Sequence, residues 1–138
     1  MQFRITFDEL QELVSSKTGK SIPVLYGGPH TVRLSYDVNV LFKSTSVGID
    51  ITVERIVGSD IHLSYSGGMA IEMMLKMAVG RLHGQPGADM IELVDGCRAV
   101  LHLGRSPQLA QLFERVELRD IFFDEQAAVI DFIPRQAL

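Results

Sequence analysis

The sequence predicts an α+β fold: a curved, mainly antiparallel sheet of about six to seven strands with three helices, the central one of which is buried. Segments in which apolar and polar residues alternate outnumber the segments with helical periodicity, and they follow one another in hairpin-like groups. The 138 residues contain no internal repeat and no long linker, so residues 1–138 are expected to form a single domain.

The first element is predicted to be a helix near residues 7–17. Thr6 is a candidate N-cap, and Glu9 three residues later completes the pattern of a capping box. Apolar residues recur through this stretch at helical spacing, and Gly19 supplies a stop. A loop rich in proline and glycine, from Pro23 to Pro29, is expected to follow.

Three strands are predicted next, over residues 31–40, 47–54 and 61–66. Each alternates apolar and polar residues, which indicates one buried and one solvated face. Short connections favour an antiparallel meander as the simplest pairing.

The central helix is predicted over residues 69–82. Four methionines lie close together on it, because Met69, Met73 and Met77 repeat every four residues and Met74 lies beside them. The helix has only a narrow polar strip, so we expect it to be covered on more than one side. Methionine at helical spacing is most often part of a core, but its flexible side chain also suits surfaces that bind varied apolar partners.

The rest of the chain is predicted to form two hairpins with a helix between them. Strands near 90–94 and 97–103 flank Asp95-Gly96, a dipeptide typical of a two-residue turn, although a short helix over 88–94 is an alternative. Ser106-Pro107 is a typical entry to a helix near 107–115. The closing hairpin is expected over 116–123 and 127–133.

Composition and charge argue against several classes of protein. Thirteen Lys and Arg oppose 17 Asp and Glu, for a formal net charge of −4, and no stretch clusters the basic residues, so we expect no nucleic-acid partner. No apolar run is long enough for a membrane span. The chain begins without a basic and apolar leader and has one cysteine, which favours a cytoplasmic location, although a removed signal peptide would leave no trace.

One weak motif places two glycines between a strand and a helix. Ser66, Gly67 and Gly68 precede the central helix, and the free amides of a helix N-terminus bind anions. No Walker pattern or dinucleotide fingerprint accompanies the glycines, so a tight turn is the simpler interpretation.

The remaining reactive side chains show no catalytic or metal-binding pattern. His62 and His102 are expected on polar strand faces, where they could meet Asp37 or Asp50. Cys97 is expected to be a small core residue. We interpret the acidic residues of the last hairpin as a solvated turn; they are Asp120, Asp124, Glu125 and Asp131.

We therefore expect a non-catalytic binding or interaction domain that uses an apolar surface or pocket around helix 69–82, with no cofactor and no metal. Its partner would be another protein or a second copy of the chain. One alternative is a carrier of lipids or apolar small molecules whose cavity the methionines line. A less favoured alternative is an enzyme with a dispersed Asp/His site.

Overall fold

The computed structural model describes residues 1–19, 21–40, 42–66, 73, 76, 77, 88–94 and 96–135. These residues form two bounded α-helices, α1 (Phe7–Thr18) and α2 (Pro107–Phe113), with single 3-10 turns at Ala88–Met90 and Leu103–Arg105. The strands, in chain order, are β1 (Gln2–Thr6), β2 (Val24–Gly28), β3 (Thr31–Val40), β4 (Lys43–Val57), β5 (Asp60–Ser66), β6 (Ile91–Val94), β7 (Arg98–His102), β8 (Val116–Phe123) and β9 (Ala127–Pro134).

The predicted α+β class with antiparallel strands is confirmed, but the prediction of one sheet is wrong. The strands form two separate sheets, one of six strands in the order β2-β3-β4-β5-β7-β6 and one of three in the order β1-β9-β8. The expected count of three helices is also not met, because only α1 and α2 have described bounds. Most of the expected helix 69–82 lies outside the described residues, and its described residues, at 73, 76 and 77, are helical.

Helix α1 begins and ends as its sequence signals predict. The Thr6 hydroxyl accepts a hydrogen bond from the Glu9 amide at 3.1 Å, and the Glu9 carboxylate accepts one from the Thr6 amide at 3.1 Å. Gly19 adopts the left-handed conformation with φ of 71°, and its amide donates to the Ser15 carbonyl at 2.8 Å. Both ends are therefore fixed by local chemistry.

In the larger sheet, strands β2 to β5 form an antiparallel meander. The hairpin of β6 and β7 follows, with β7 next to β5 and β6 outside it. Strand β4 is long enough to pair with β3 along its first part and with β5 along its second part. Strand β7 pairs with β5, so β6 becomes the edge of the sheet. A bulge between Val53 and Arg55 interrupts the pairing of β4 with β5, and this bulge shapes the polar face described below.

The smaller sheet joins the two ends of the chain. Strand β1 pairs with β9, so that Phe3 lies opposite Ile130, and β9 also pairs with β8. One carbonyl of the turn before β3 connects the sheets, because Pro29 accepts from the Phe123 amide of β8 at 2.7 Å. The neighbouring His30 carbonyl accepts from the Val53 amide of β4, within the larger sheet, at 2.8 Å.

The core lies where α2 and the smaller sheet pack against one face of the larger sheet. Ile61 of β5, Phe113 of α2 and Leu118 of β8 form a buried cluster. Further partly buried side chains pack around it: Val53, Ile56, Leu63, Leu101, Leu103, Leu109, Ile121, Ile130 and Phe132. Because side chains alternate along a strand, the neighbours of Ile61 and Leu63 on β5 point to the opposite, outer face.

Candidate functional site

The two described methionines of the central segment are exposed to solvent. Met73 and Met77 are helical, with relative exposures of 62% and 59%. They are four residues apart, so they lie on the same side of the helix, one turn apart. The expected burial of helix 69–82 is therefore wrong at these two positions, while Met69 and Met74 lie outside the described residues.

Of the three residues expected to form an anion site before helix 69–82, only Ser66 is among the described residues. Ser66 is the last residue of β5 and is exposed. Gly67 and Gly68 lie outside the described residues, so anion binding there stays a prediction.

His102 lies between two carboxylates on the outer face of the larger sheet. Its Nδ1 is 2.9 Å from Asp60 Oδ1, and its Nε2 is 3.0 Å from Glu92 Oε2. The side chain is 14% exposed, and the hydrogen bonds that Glu92 and then Asp60 accept from the imidazole raise the pKa of His102. These contacts connect β5, β7 and β6 through one imidazole.

The sequence predicted that His62 and His102 could contact Asp37 or Asp50, and the structure shows no such contact among the described residues. His102 contacts Asp60 and Glu92 instead, and Asp50 lies 3.8 Å from the guanidinium of Arg33. Among the described residues, no group of three or more His, Cys, Asp or Glu side chains is arranged to hold a metal ion.

Two acidic residues of the last hairpin, Asp124 and Asp131, have structural partners. One Asp124 oxygen accepts from the backbone amides of Gln126 and Ala127, both at 2.8 Å, and the other accepts from Arg4. These contacts, with the Gln126 amide first, lower the pKa of Asp124. Asp131 lies 3.8 Å from the Arg119 guanidinium. The hairpin turn therefore needs no ligand to account for its charge.

Cys97 belongs to a turn instead of a strand. Val94 pairs with Arg98, so three residues instead of two separate the paired ends of β6 and β7, and Cys97 adopts a φ of 58°. The predicted two-residue turn is wrong for this reason, and so is the prediction of a core cysteine, since Cys97 is only half-buried.

An open pocket on the outer face was not found by sequence reasoning. It has a volume of about 440 Å³ and extends over β4, β5, β7 and β6, and its lining includes Arg55, His62, Val94, Arg98 and Val100. The bulge in β4 places Arg55 opposite His62, and the broken alternation hides this position from a period-two pattern.

A second open pocket, of about 340 Å³, shares Glu54 and Arg55 with the first. It extends toward the smaller sheet, where His30 Nε2 lies 3.8 Å from Asp120 Oδ1. Arg55 therefore lines both pockets.

Comparisons of the chain with protein-family models, with curated proteins and with solved structures found no match. Within the described residues, no helix is both long and apolar enough to cross a membrane.

Proposed function

We propose that this chain is a non-catalytic interaction domain, and that the surface formed by Met73 and Met77 packs against a second copy of the chain. The observation that carries the proposal is the exposure of both side chains, at 62% and 59%. Each fully buried methionine contributes about 1.5–3 kcal/mol relative to an exposed one, so covering this pair is favourable.

The sequence around the two methionines supports an apolar contact. Between residues 69 and 82, the residues that are not apolar are Glu72, Lys76, Gly80 and Arg81. A helix with so narrow a polar strip is usually covered on most of its circumference. Methionine is flexible and polarizable, so its side chain adapts to an irregular partner surface.

A second copy is the partner that needs the fewest further assumptions. A two-fold interface uses the same patch on both subunits, so a single exposed apolar helix face can supply both halves. Lys76 lies in the same turn and is exposed, and a lysine at the rim can cover apolar surface with its stem while its ammonium stays in water.

Sedimentation velocity over a series of protein concentrations tests this proposal. We expect the wild-type chain to dimerise, and the double variant Met73→Gln/Met77→Gln to raise the dissociation constant by roughly tenfold or more. Leu13→Gln is the matched control, because Leu13 is a helical residue of α1 with a similar exposure of 50%, and it should leave the association unchanged.

Two results would contradict the proposal. One is a wild-type chain that stays monomeric at every concentration; the other is a double variant that associates as the wild-type chain does. Native mass spectrometry of freshly purified protein covers the carrier alternative, since added mass from a bound apolar molecule would support a carrier instead.

A further inference from the structure

The outer-face pocket combines positive charge with an apolar patch. Its described lining carries two guanidinium groups, from Arg55 and Arg98, and one carboxylate, from Glu54. The chain as a whole has a formal net charge of −4, so this site has the opposite sign to the rest of the molecule. An anion is therefore the ligand that the local field favours.

Arg55 is the cation in this pocket that is available to a ligand. The residue is exposed, and its guanidinium makes no hydrogen bond or ion pair with any residue in the described ranges. Arg98 differs, because it already has an interaction partner. The Glu54 carboxylate lines the same pocket, but it accepts a hydrogen bond from the Ser64 hydroxyl and makes no ion pair with Arg55.

The apolar part of the pocket comes from two valines. Val100 is opposite His62 on β5 and Glu92 on β6, so it shares the outer face with them, yet it is only 7% exposed. Val94, at the end of the edge strand β6, is 39% exposed. Val94 therefore supplies most of the accessible apolar surface of this pair, next to the charged groups, and a volume of about 440 Å³ is in the range of small-molecule sites.

We propose that the outer-face pocket binds a small monocarboxylate with an apolar body, with its carboxylate on the Arg55 guanidinium and its body against Val94 and Val100. A guanidinium presents two parallel donors that match a carboxylate. The Glu54 carboxylate in the same lining disfavours a doubly charged ligand such as a phosphate monoester, because like charges repel at short range.

The test is a titration of the isotope-labelled full chain with 1-naphthoate, followed by NMR. The matched probe is 1-naphthamide, which has the same shape and no charge. We expect naphthoate to shift the resonances of Val94, His62 and Val100, and to bind more tightly than naphthamide. Higher ionic strength should weaken naphthoate binding, because the ion pair is at the surface.

Two arginine variants test whether the Arg55 guanidinium binds the carboxylate of naphthoate. Arg55→Gln should raise the dissociation constant of naphthoate by roughly tenfold, the loss expected for one charged hydrogen-bonded contact, and should leave naphthamide binding unchanged. Arg115→Gln is the control, since Arg115 is also exposed, its side chain has no partner among the described residues, and it is absent from the pocket lining.

Three outcomes would overturn this proposal: no shifts at the pocket, equal affinity for the acid and the amide, or equal effects of the two arginine variants. Shifts confined to Met73 and Met77 would also overturn it, and would show apolar binding at the methionine surface instead. Because the methionine double variant leaves the pocket residues unchanged, it should bind naphthoate as the wild-type chain does, which separates the two proposals.

Discussion

Phe42 occupies a backbone conformation that its side chain disfavours. It lies at the turn between β3 and β4 with a φ of 68°, in the left-handed region that bulky residues rarely adopt. Its side chain is fully exposed, so no packing offsets the backbone strain. The left-handed conformation of Phe42 therefore lowers the stability of the folded protein at this turn.

We predict that Phe42→Asn stabilises the protein, because asparagine tolerates the left-handed region without adding the backbone freedom of glycine. The free energy of unfolding in urea should rise by about 0.5–1 kcal/mol. Phe42→Leu, which keeps a bulky side chain, should change it little. A loss of stability in the asparagine variant would mean that the Phe42 ring makes contacts in the folded protein.

His102 is expected to make folding depend on pH. Its hydrogen bonds to Glu92 and Asp60 raise its pKa in the folded state above the unfolded value of about 6.5. The protonated imidazole therefore contributes stability that is fully present below about pH 6.5 and is lost as the pH rises through the folded pKa.

The thermal stability of the wild-type protein is compared with that of His102→Gln at two pH values. We expect wild-type thermal stability to exceed that of the variant by more at about pH 6 than at about pH 8.5. His62→Gln serves as the control for the loss of an imidazole from the outer face, because the His62 side chain has no hydrogen-bond partner among the described residues. A difference for His102→Gln that does not change with pH would show that the two carboxylates do not favour the charged imidazole.

Helix α1 shows how one side chain fixes the boundary between two elements. Thr6 is the last residue of β1, paired with Ala127, and it is also the N-cap of α1. The capping box thus determines where the strand ends and the helix begins.

Removing the Thr6 hydroxyl should weaken this boundary. Thr6→Ala is expected to lower the free energy of unfolding by about 1 kcal/mol, as measured by urea denaturation. Thr6→Ser restores the hydroxyl and should recover most of the loss. If the serine and alanine variants are equally unstable, the cap contributes little and the effect comes from the strand.

Local signals in the sequence predicted some elements well and others not at all. The ends of α1 and the entry to α2 depend on contacts within a few residues, so Thr6, Gly19 and Ser106 indicated them correctly. Strands β1 and β2 were missed. The partner of β1 is β9, at the other end of the chain, and β2 lies in the stretch from Pro23 to Pro29 that was interpreted as a loop. Pairing between distant segments leaves no local signature.

The outer-face pocket could not be predicted from the sequence either. Glu54 and Arg55 are consecutive, so an alternating strand would place them on opposite faces, yet the bulge brings both into one pocket. The methionine cluster, in contrast, was visible as a repeat of every four residues. The sequence predicted that this helix is buried and covered on more than one side, whereas the structure shows Met73 and Met77 exposed.

At the scale of the whole molecule, the two sheets and α2 enclose one core, while the methionine surface remains outside it. We propose that a second copy of the chain covers this surface in solution. Met1 provides an internal reference, because its exposure of 67% is similar and it belongs to the N-terminus instead of the central helix.

NMR of methionine methyl groups, recorded over a dilution series, tests this claim most directly. We expect the methyl resonances of Met73 and Met77 to change with protein concentration as the dimer dissociates, while that of Met1 stays constant. Methyl resonances of Met73 and Met77 that are independent of concentration, in a chain that remains monomeric throughout the series, would contradict it.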